Sequence, residues 1–186
     1  TGQENPIATL AVGDARALPF VDEFADVVLL HGPLYHLTDK SDRLKTLCEA
    51  KRILKPGGLL LAFGITRYSS GLVGIVNGWI HDASYLSMVE KELSEGIHIR
   101  PENWNSLFTT AYFHHAAELK AEIEEAGFHY DETFAVEGPG WLVKNFDEYW
   151  ASEDNRSALL HMVNFLEKDP VAVGLSPHIL VSARSR

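Results

Sequence analysis

Short, nearly continuous apolar runs alternate along this chain with longer stretches in which apolar residues return every three or four positions. Residues 7–12 form the first run, closed by Gly13 and Asp14, and predict a buried strand that ends in a loop. Residues 24–30 are apolar almost throughout, the pattern of a strand covered on both faces. Leu18, Pro19 and Phe20, with Asp22 and Glu23, make the connection between the two runs irregular. Residues 38–41 supply helix-start chemistry, after which Leu44, Leu47, Cys48 and Leu54 recur at helical spacing with Arg43, Lys45 and Lys51 turned outward. Cys48 is expected in the core on this pattern. Pro56-Gly57-Gly58 is expected to stop the helix sharply, and residues 59–65 form the next buried strand. Strand, helix and strand at this spacing require a parallel crossover, so the first third is α/β.

Residues 67–113 break the rhythm. Trp79, Tyr85, Leu86, Met88, Val89 and Leu93 fit one or two amphipathic helices, while Gly71, Gly74, Gly78 and Gly96 loosen the segment. It reads as a helical cap over the strand ends, inserted within a single domain whose core is 1–66 and 114–186. A regular helix is expected over 116–126, ending at Gly127, followed by a strand over 128–136 that Gly138-Pro139-Gly140 closes. Residues 146–168 are helical by pattern, and 177–183 form a last strand that must run back along the sheet.

Length and composition narrow the class. At 186 residues, 46% hydrophobic and 10% aromatic, the chain suits one folded domain and not a disordered segment. No apolar run approaches the ~20 residues of a membrane helix, so no membrane partner is expected. The single cysteine cannot form an internal disulfide, which makes the cytoplasm the expected location. The net charge is −10, of which residues 1–66 carry −1 and residues 67–186 carry −9. An acidic chain is poorly suited to gripping nucleic acid, whose phosphates need a basic face. The expected partner is a small neutral or cationic molecule.

Two segments fall where an open α/β sheet binds ligands, at the carboxyl ends of its strands. Gly13-Asp14-Ala15 follows the first run, and Asp14 is either a ligand acceptor or an ordinary turn carboxylate. His31-Gly32-Pro33-Leu34-Tyr35-His36 follows the second; Gly32 and Pro33 let backbone approach a ligand, Tyr35 offers an aromatic wall and His36 titrates near neutrality. A structured turn with one satisfied histidine fits the same residues. No metal-ligand spacing exists: His114-His115 is an adjacent pair, whose side chains diverge. Nucleophile-elbow, phosphate-loop and dinucleotide fingerprints are also absent from the sequence.

Taken in order, Gly13-Asp14-Ala15-Arg16-Ala17-Leu18-Pro19-Phe20, Phe24-Ala25-Asp26-Val27-Val28 and Arg52-Ile53-Leu54-Lys55-Pro56-Gly57-Gly58 resemble class I S-adenosylmethionine-dependent methyltransferases. Gly32-Pro33-Leu34-Tyr35-His36-Leu37, Tyr112-Phe113-His114 and Gly138-Pro139-Gly140-Trp141-Leu142 are similar to a bacterial subgroup with a helical cap. The resemblance implies a Rossmann-like sheet ending in an antiparallel strand. It also implies that Asp14 and Ala15 contact the adenine and that His31, Gly32 and Pro33 line the methionine end of S-adenosylmethionine. His36, with Tyr35 and His114 behind it, would serve as base. Arg67, Tyr68, Phe108, Tyr112 and Trp141 would form the cap side of the pocket for a small-molecule methyl acceptor. Methyl transfer is an in-line displacement, so holding the acceptor in place is most of the catalysis.

The family's glycine-rich loop and the acidic residue that holds the ribose have no counterpart in the sequence. Two strand-helix units, roughly 60–80 residues, are expected upstream, and residues 1–186 alone are expected to bind S-adenosylmethionine poorly. A nicotinamide-dependent oxidoreductase, which would use the same upstream loop, stays open as an alternative. So does an interaction protein on a decayed methyltransferase fold.

Overall fold

The computed structural model describes residues 10–186. The strand expected at 7–12 lies mostly outside them, and Leu10 to Val12 are exposed without regular structure. A six-stranded mixed sheet is built around one long strand, β2 (Leu54–Thr66). Along one edge of β2 runs the antiparallel β6 (His178–Ser185), itself flanked by antiparallel β5 (Phe128–Ala135). The other edge is shared: β1 (Ala25–Leu30) pairs in parallel with its first part and β4 (Ala111–His114) with Ile65 and Thr66 at its end. A two-residue strand, β3 (Ile97–His98), completes the sheet beside β4. Between the end of β1 and the start of β4 sits the short helix α1 (Pro33–His36), whose Tyr35 packs with Ile65, Ala111 and Phe113.

One face of the sheet is closed by α2 (Lys40–Ile53) and α5 (Ala116–Glu125). Leu47, Ala50 and Ile53 of α2 and Leu119 and Ile123 of α5 meet Val28, Leu30, Leu60, Ala62, Val181 and Ala183 in one buried cluster. A fully buried Leu or Ile of this kind contributes about 1.5–3 kcal/mol through removal from water. Asp39 caps α2 by accepting from the Ser41 N–H, and Glu118 accepts from the His115 N–H at the start of α5.

Four expectations need correction here. Arg43 does not point outward: α2 turns Arg43, Thr46, Leu47, Ala50 and Ile53 to the core, and Arg43 is buried because Glu122 of α5 meets it there. Cys48 lies one step around the helix from that face and is exposed. Pro56-Gly57-Gly58 does not separate helix from strand. β2 begins at Leu54 directly after α2, and residues 55–58 bulge from the ladder between the Ala25–Leu54 and Val27–Leu59 pairs, with Gly57 at φ 76°. Finally, β1 is covered on one face only, because among the described residues no helix lies over its other face. Val28 and Leu30 are buried while Val27 and Leu29 are 52% and 58% exposed.

After β2 come α3 (Ser69–Asn77) and α4 (Ala83–Glu95), with a 3-10 turn between them. They pack through Tyr85, whose ring lies against Gly74 so closely that no Cβ would fit there. Trp79 and Trp104 extend the cluster around Tyr85. The chain then returns to the sheet through β3 and β4, two strands that the apolar pattern does not reveal. Past β5, the helix expected over 146–168 is two, α6 (Phe146–Ala151) and α7 (Glu153–Leu166), because Ser152 caps the second by accepting from the Asn155 N–H.

Candidate active site

The parallel strands β1, β2 and β4 and the strand β5 all point their carboxyl ends to one edge, where β6 begins. Two adjoining hollows open there and share Tyr35. The first, about 520 Å³, is lined by Gly13, Asp14, Ala15, His31, Gly32, Pro33, Tyr35, His36 and Leu37, so it gathers all five residues expected to hold a cofactor. Gly32 stands at φ 137°, a conformation that side-chain-bearing residues rarely adopt, and this turns the chain from β1 into α1. The His31 ring rests edge-on against Phe63 of β2 at 4.6 Å between centroids.

Asp14 is ionised throughout the physiological range. The Arg16 side chain grips both carboxylate oxygens at 2.7–3.2 Å and the Arg16 N–H adds a bond of 2.9 Å, holding the carboxyl down to about 2. Arg16 is in turn tied to Asp42 of α2 at 2.6 Å, which fixes the loop to the helix layer.

The second hollow, about 250 Å³, lies between the sheet edge and the α3–α4 layer. Its walls are aromatic and aliphatic: Tyr35, Ile65, Val73, Tyr85, Leu107, Phe108 and Phe113, with Ser69, Ser70, His98 and His178 as the polar members. Phe108 bridges the two hollows, 6.1 Å from the Tyr35 ring and 5.3 Å from the His36 ring. Burial pushes the Tyr35 phenol up, so Tyr35 is a neutral wall and not a base. His98 lies under the floor. Its Nδ1 is 2.5 Å from Glu92 Oε1 and its Nε2 is 2.9 Å from the Phe108 carbonyl, so both ring nitrogens face acceptors. Burial alone would lower its pKa, but these two partners outweigh burial and raise it.

Of the residues expected around an acceptor, the structure brings Phe108 and Tyr35 into this hollow and places His36, exposed, at its cofactor-side mouth. His114 and Tyr112 alternate with Phe113 along β4 and so face the opposite side of the sheet. His114 is fully buried beside Glu122, Nε2 to Oε2 3.5 Å, and burial depresses its pKa; it is a core residue on the face away from the acceptor hollow. Tyr112 lies flat under the Arg43 guanidinium at 3.7 Å. Arg67 is buried and spent on Glu118, the Tyr112 hydroxyl and the Phe113 carbonyl. Tyr68 is exposed and leans on His115. Trp141 donates to the Leu175 carbonyl and lines a separate apolar recess with Phe146, Trp150 and Leu159.

Sequence reasoning missed Glu137 and His178. Glu137 stands two residues past the end of β5 and His178 opens β6, and the antiparallel register that pairs Ala135 with Ile179 brings them together. A glutamate just beyond one strand and a histidine opening the next was the available signal.

Residues 1–62 match the methyltransferase domain family. The chain is 41% identical over 66 residues to the ubiquinone/menaquinone biosynthesis C-methyltransferase UbiE of Bordetella avium, a stretch covering 36% of this chain and 25% of that protein. To the enzyme of the same name from Pectobacterium atrosepticum it is 30% identical over 116 residues, or 62% of this chain and 43% of that one. The matches thus span between a quarter and less than half of these relatives. A solved S-adenosylmethionine-dependent methyltransferase of Methanosarcina mazei superposes with a TM-score of 0.55 at 17% identity, covering 94% of this chain and 66% of that one. The fold is that of a class I S-adenosylmethionine-dependent methyltransferase. The resemblance carried by Gly13-Asp14-Ala15 and by the turn at Lys55 to Gly58 lies inside the matched region.

Proposed function

We propose that the protein transfers a methyl group from S-adenosylmethionine to a small-molecule acceptor. The observation that carries this reading is the pair of hollows meeting at Tyr35: one edged by the Asp14 carboxylate and the Gly32 turn, the other apolar and aromatic. Bound there, S-adenosylmethionine would supply an electrophilic methyl group. Asp14 would accept from the adenine amino group with Ala15 beside it, and His31, Gly32 and Pro33 would line the methionine portion. Tyr35 and Phe108 would hold a flat acceptor and keep water from the reacting atoms. The methyltransferase-domain match over residues 1–62 favours this cofactor over a nicotinamide.

Among the described residues no Lys or Arg lines the acceptor hollow, and the whole chain carries −10, which supports a small uncharged or cationic molecule over nucleic acid. Among the described residues no helix is long and apolar enough to cross a membrane. The reading places the enzyme in a bacterial cytoplasm, with residues 67–113 as a cap inserted in one domain. Calorimetric titration of the full-length protein with S-adenosylmethionine, and separately with NADH, tests it. Saturable binding of the first alone is expected; binding of NADH alone would transfer the fold to redox chemistry.

A further inference from the structure

The Glu137 carboxylate is held by donors of fixed geometry. Its Oε2 accepts from the Ser176 hydroxyl at 2.9 Å and from the His178 N–H at 3.0 Å, and its Oε1 lies 2.5 Å from His178 Nδ1. Ser176 is locked in turn, because its oxygen accepts from the Glu137 and Gly138 N–H groups at 3.1 Å each. Burial raises the Glu137 carboxyl, but the bonds from the His178 ring and backbone outweigh burial and keep it below its usual range. An ionised carboxylate only accepts, so the proton of a neutral His178 ring resides on Nδ1 and the free lone pair is that of Nε2. Among the described residues Nε2 has no partner, and the side chain is 38% exposed where it lines the acceptor hollow.

Of the other polar groups around that hollow, Tyr85, Ser70 and His98 are committed, which leaves only the Ser69 and Tyr35 hydroxyls, weak proton acceptors beside an imidazole. The Tyr85 hydroxyl donates to the Ser70 carbonyl at 2.7 Å, and the Ser70 hydroxyl donates to Glu92. Both His98 nitrogens are taken. No carboxylate among the described residues orients His36.

We propose that His178 is the general base of this site, that Glu137 is its positioning residue, and that the acceptor is a hydroxyaromatic molecule of one or two rings. The proposal rests on the methyl-transfer reading and deepens it. A hollow of about 250 Å³ walled by Tyr35, Phe108 and Phe113 suits a flat ring. A phenol is a poor nucleophile until it loses its proton, since such hydroxyls ionise near pH ~10. An amine acceptor would enter as a cation and seek a free carboxylate, whereas Glu137 is engaged by Ser176 and His178 and Glu92 is fully buried outside the lining. In the step, the acceptor O–H proton passes to His178 Nε2 as the oxygen forms its bond to the methyl carbon. The carbon–sulfur bond of the sulfonium breaks, its electron pair stays on sulfur, and the protonated His178 is stabilised by Glu137 and later releases the proton to water.

The test uses 4-nitrophenol, whose anion is yellow and whose ionisation on the protein reads the base without any turnover. With the full-length protein, the bound probe is expected to ionise at a pH at least about one unit below that of the free probe, a tenfold change in proton affinity. His178→Gln should still bind the probe and abolish the shift. Glu137→Gln should reduce it, and Glu137→Asp should restore part of it. Nitrogen-15 spectra of labelled histidine should show the His178 proton on Nδ1 in the wild type and a mixture of tautomers in Glu137→Gln. An unchanged shift in His178→Gln, failure of the wild type to bind the probe, or a proton on Nε2 would overturn the proposal. S-adenosylmethionine binding on the same samples separates the two readings: a probe shift without cofactor binding would sink methyl transfer and leave the base in place.

Discussion

Arg43 and Glu122 meet between α2 and α5 as a buried bidentate pair, Nε to Oε2 2.9 Å and the second guanidinium nitrogen to Oε1 2.7 Å. The remaining guanidinium nitrogen donates to the Leu37 and Thr38 carbonyls, which terminate the segment that carries α1. The pair therefore fixes the helix layer and the Tyr35–His36 wall of the site together. Glu122→Gln would leave a buried guanidinium uncompensated and is expected to cost about 3–5 kcal/mol in denaturant unfolding. The Glu122 carboxyl, though raised by burial, is brought down to about 2 by His114 and Arg43. Its folded-state pKa is depressed, so its stabilisation is present above about pH 4.3 and is lost as the pH falls towards the folded value.

His98 has the opposite sign. Its pKa is raised in the folded state, so its contribution is complete below about pH 6.5 and fades as the pH rises through the folded value. Unfolding midpoints of the wild type should therefore decline in this range more steeply than those of His98→Gln. Parallel slopes would show that the Glu92–His98 contact does not titrate.

Gly96 ends α4 at φ 77°, and a Cβ there would crowd the Arg67 guanidinium and the Tyr112 ring and lie 2.9 Å from the Phe113 carbonyl. Gly78 has a similar φ of 70° with open space around it. Gly96→Ala should destabilise by more than about 1 kcal/mol and by more than Gly78→Ala, which carries only the backbone strain. Equal effects would mean that the Arg67 corner gives way freely.

Asp14→Ala should weaken S-adenosylmethionine binding in calorimetry of the full-length protein. An unchanged Kd would make Asp14 a turn residue whose role is to hold Arg16 against Asp42.

The sheet and its helices were legible wherever burial alone decides the pattern. Residues 24–30, 59–65, 116–126, 128–136 and 177–183 each fall on an observed element because one apolar face per element is enough to reveal its period. β3 and β4 were not legible, since two- and four-residue strands are too short for any period and His98 and His114 occupy buried positions. The outward placement of Arg43 failed because a buried ion pair looks like surface charge until its partner, 79 residues away, is known. The same holds for the site. Asp14, Ala15, His31, Gly32, Pro33, Tyr35 and His36 share one hollow, the last five because they directly follow the end of β1. Glu137 and His178 meet only through strand pairing.

Hydrogen exchange of the full-length protein with and without S-adenosylmethionine tests the central claim most directly, because it reports where the cofactor sits. Protection is expected over residues 13–17 and 31–37, with little change in α7, which lies outside the cofactor hollow. Saturating cofactor that leaves both segments unprotected, or protects only the recess of Trp141 and Trp150, would contradict it.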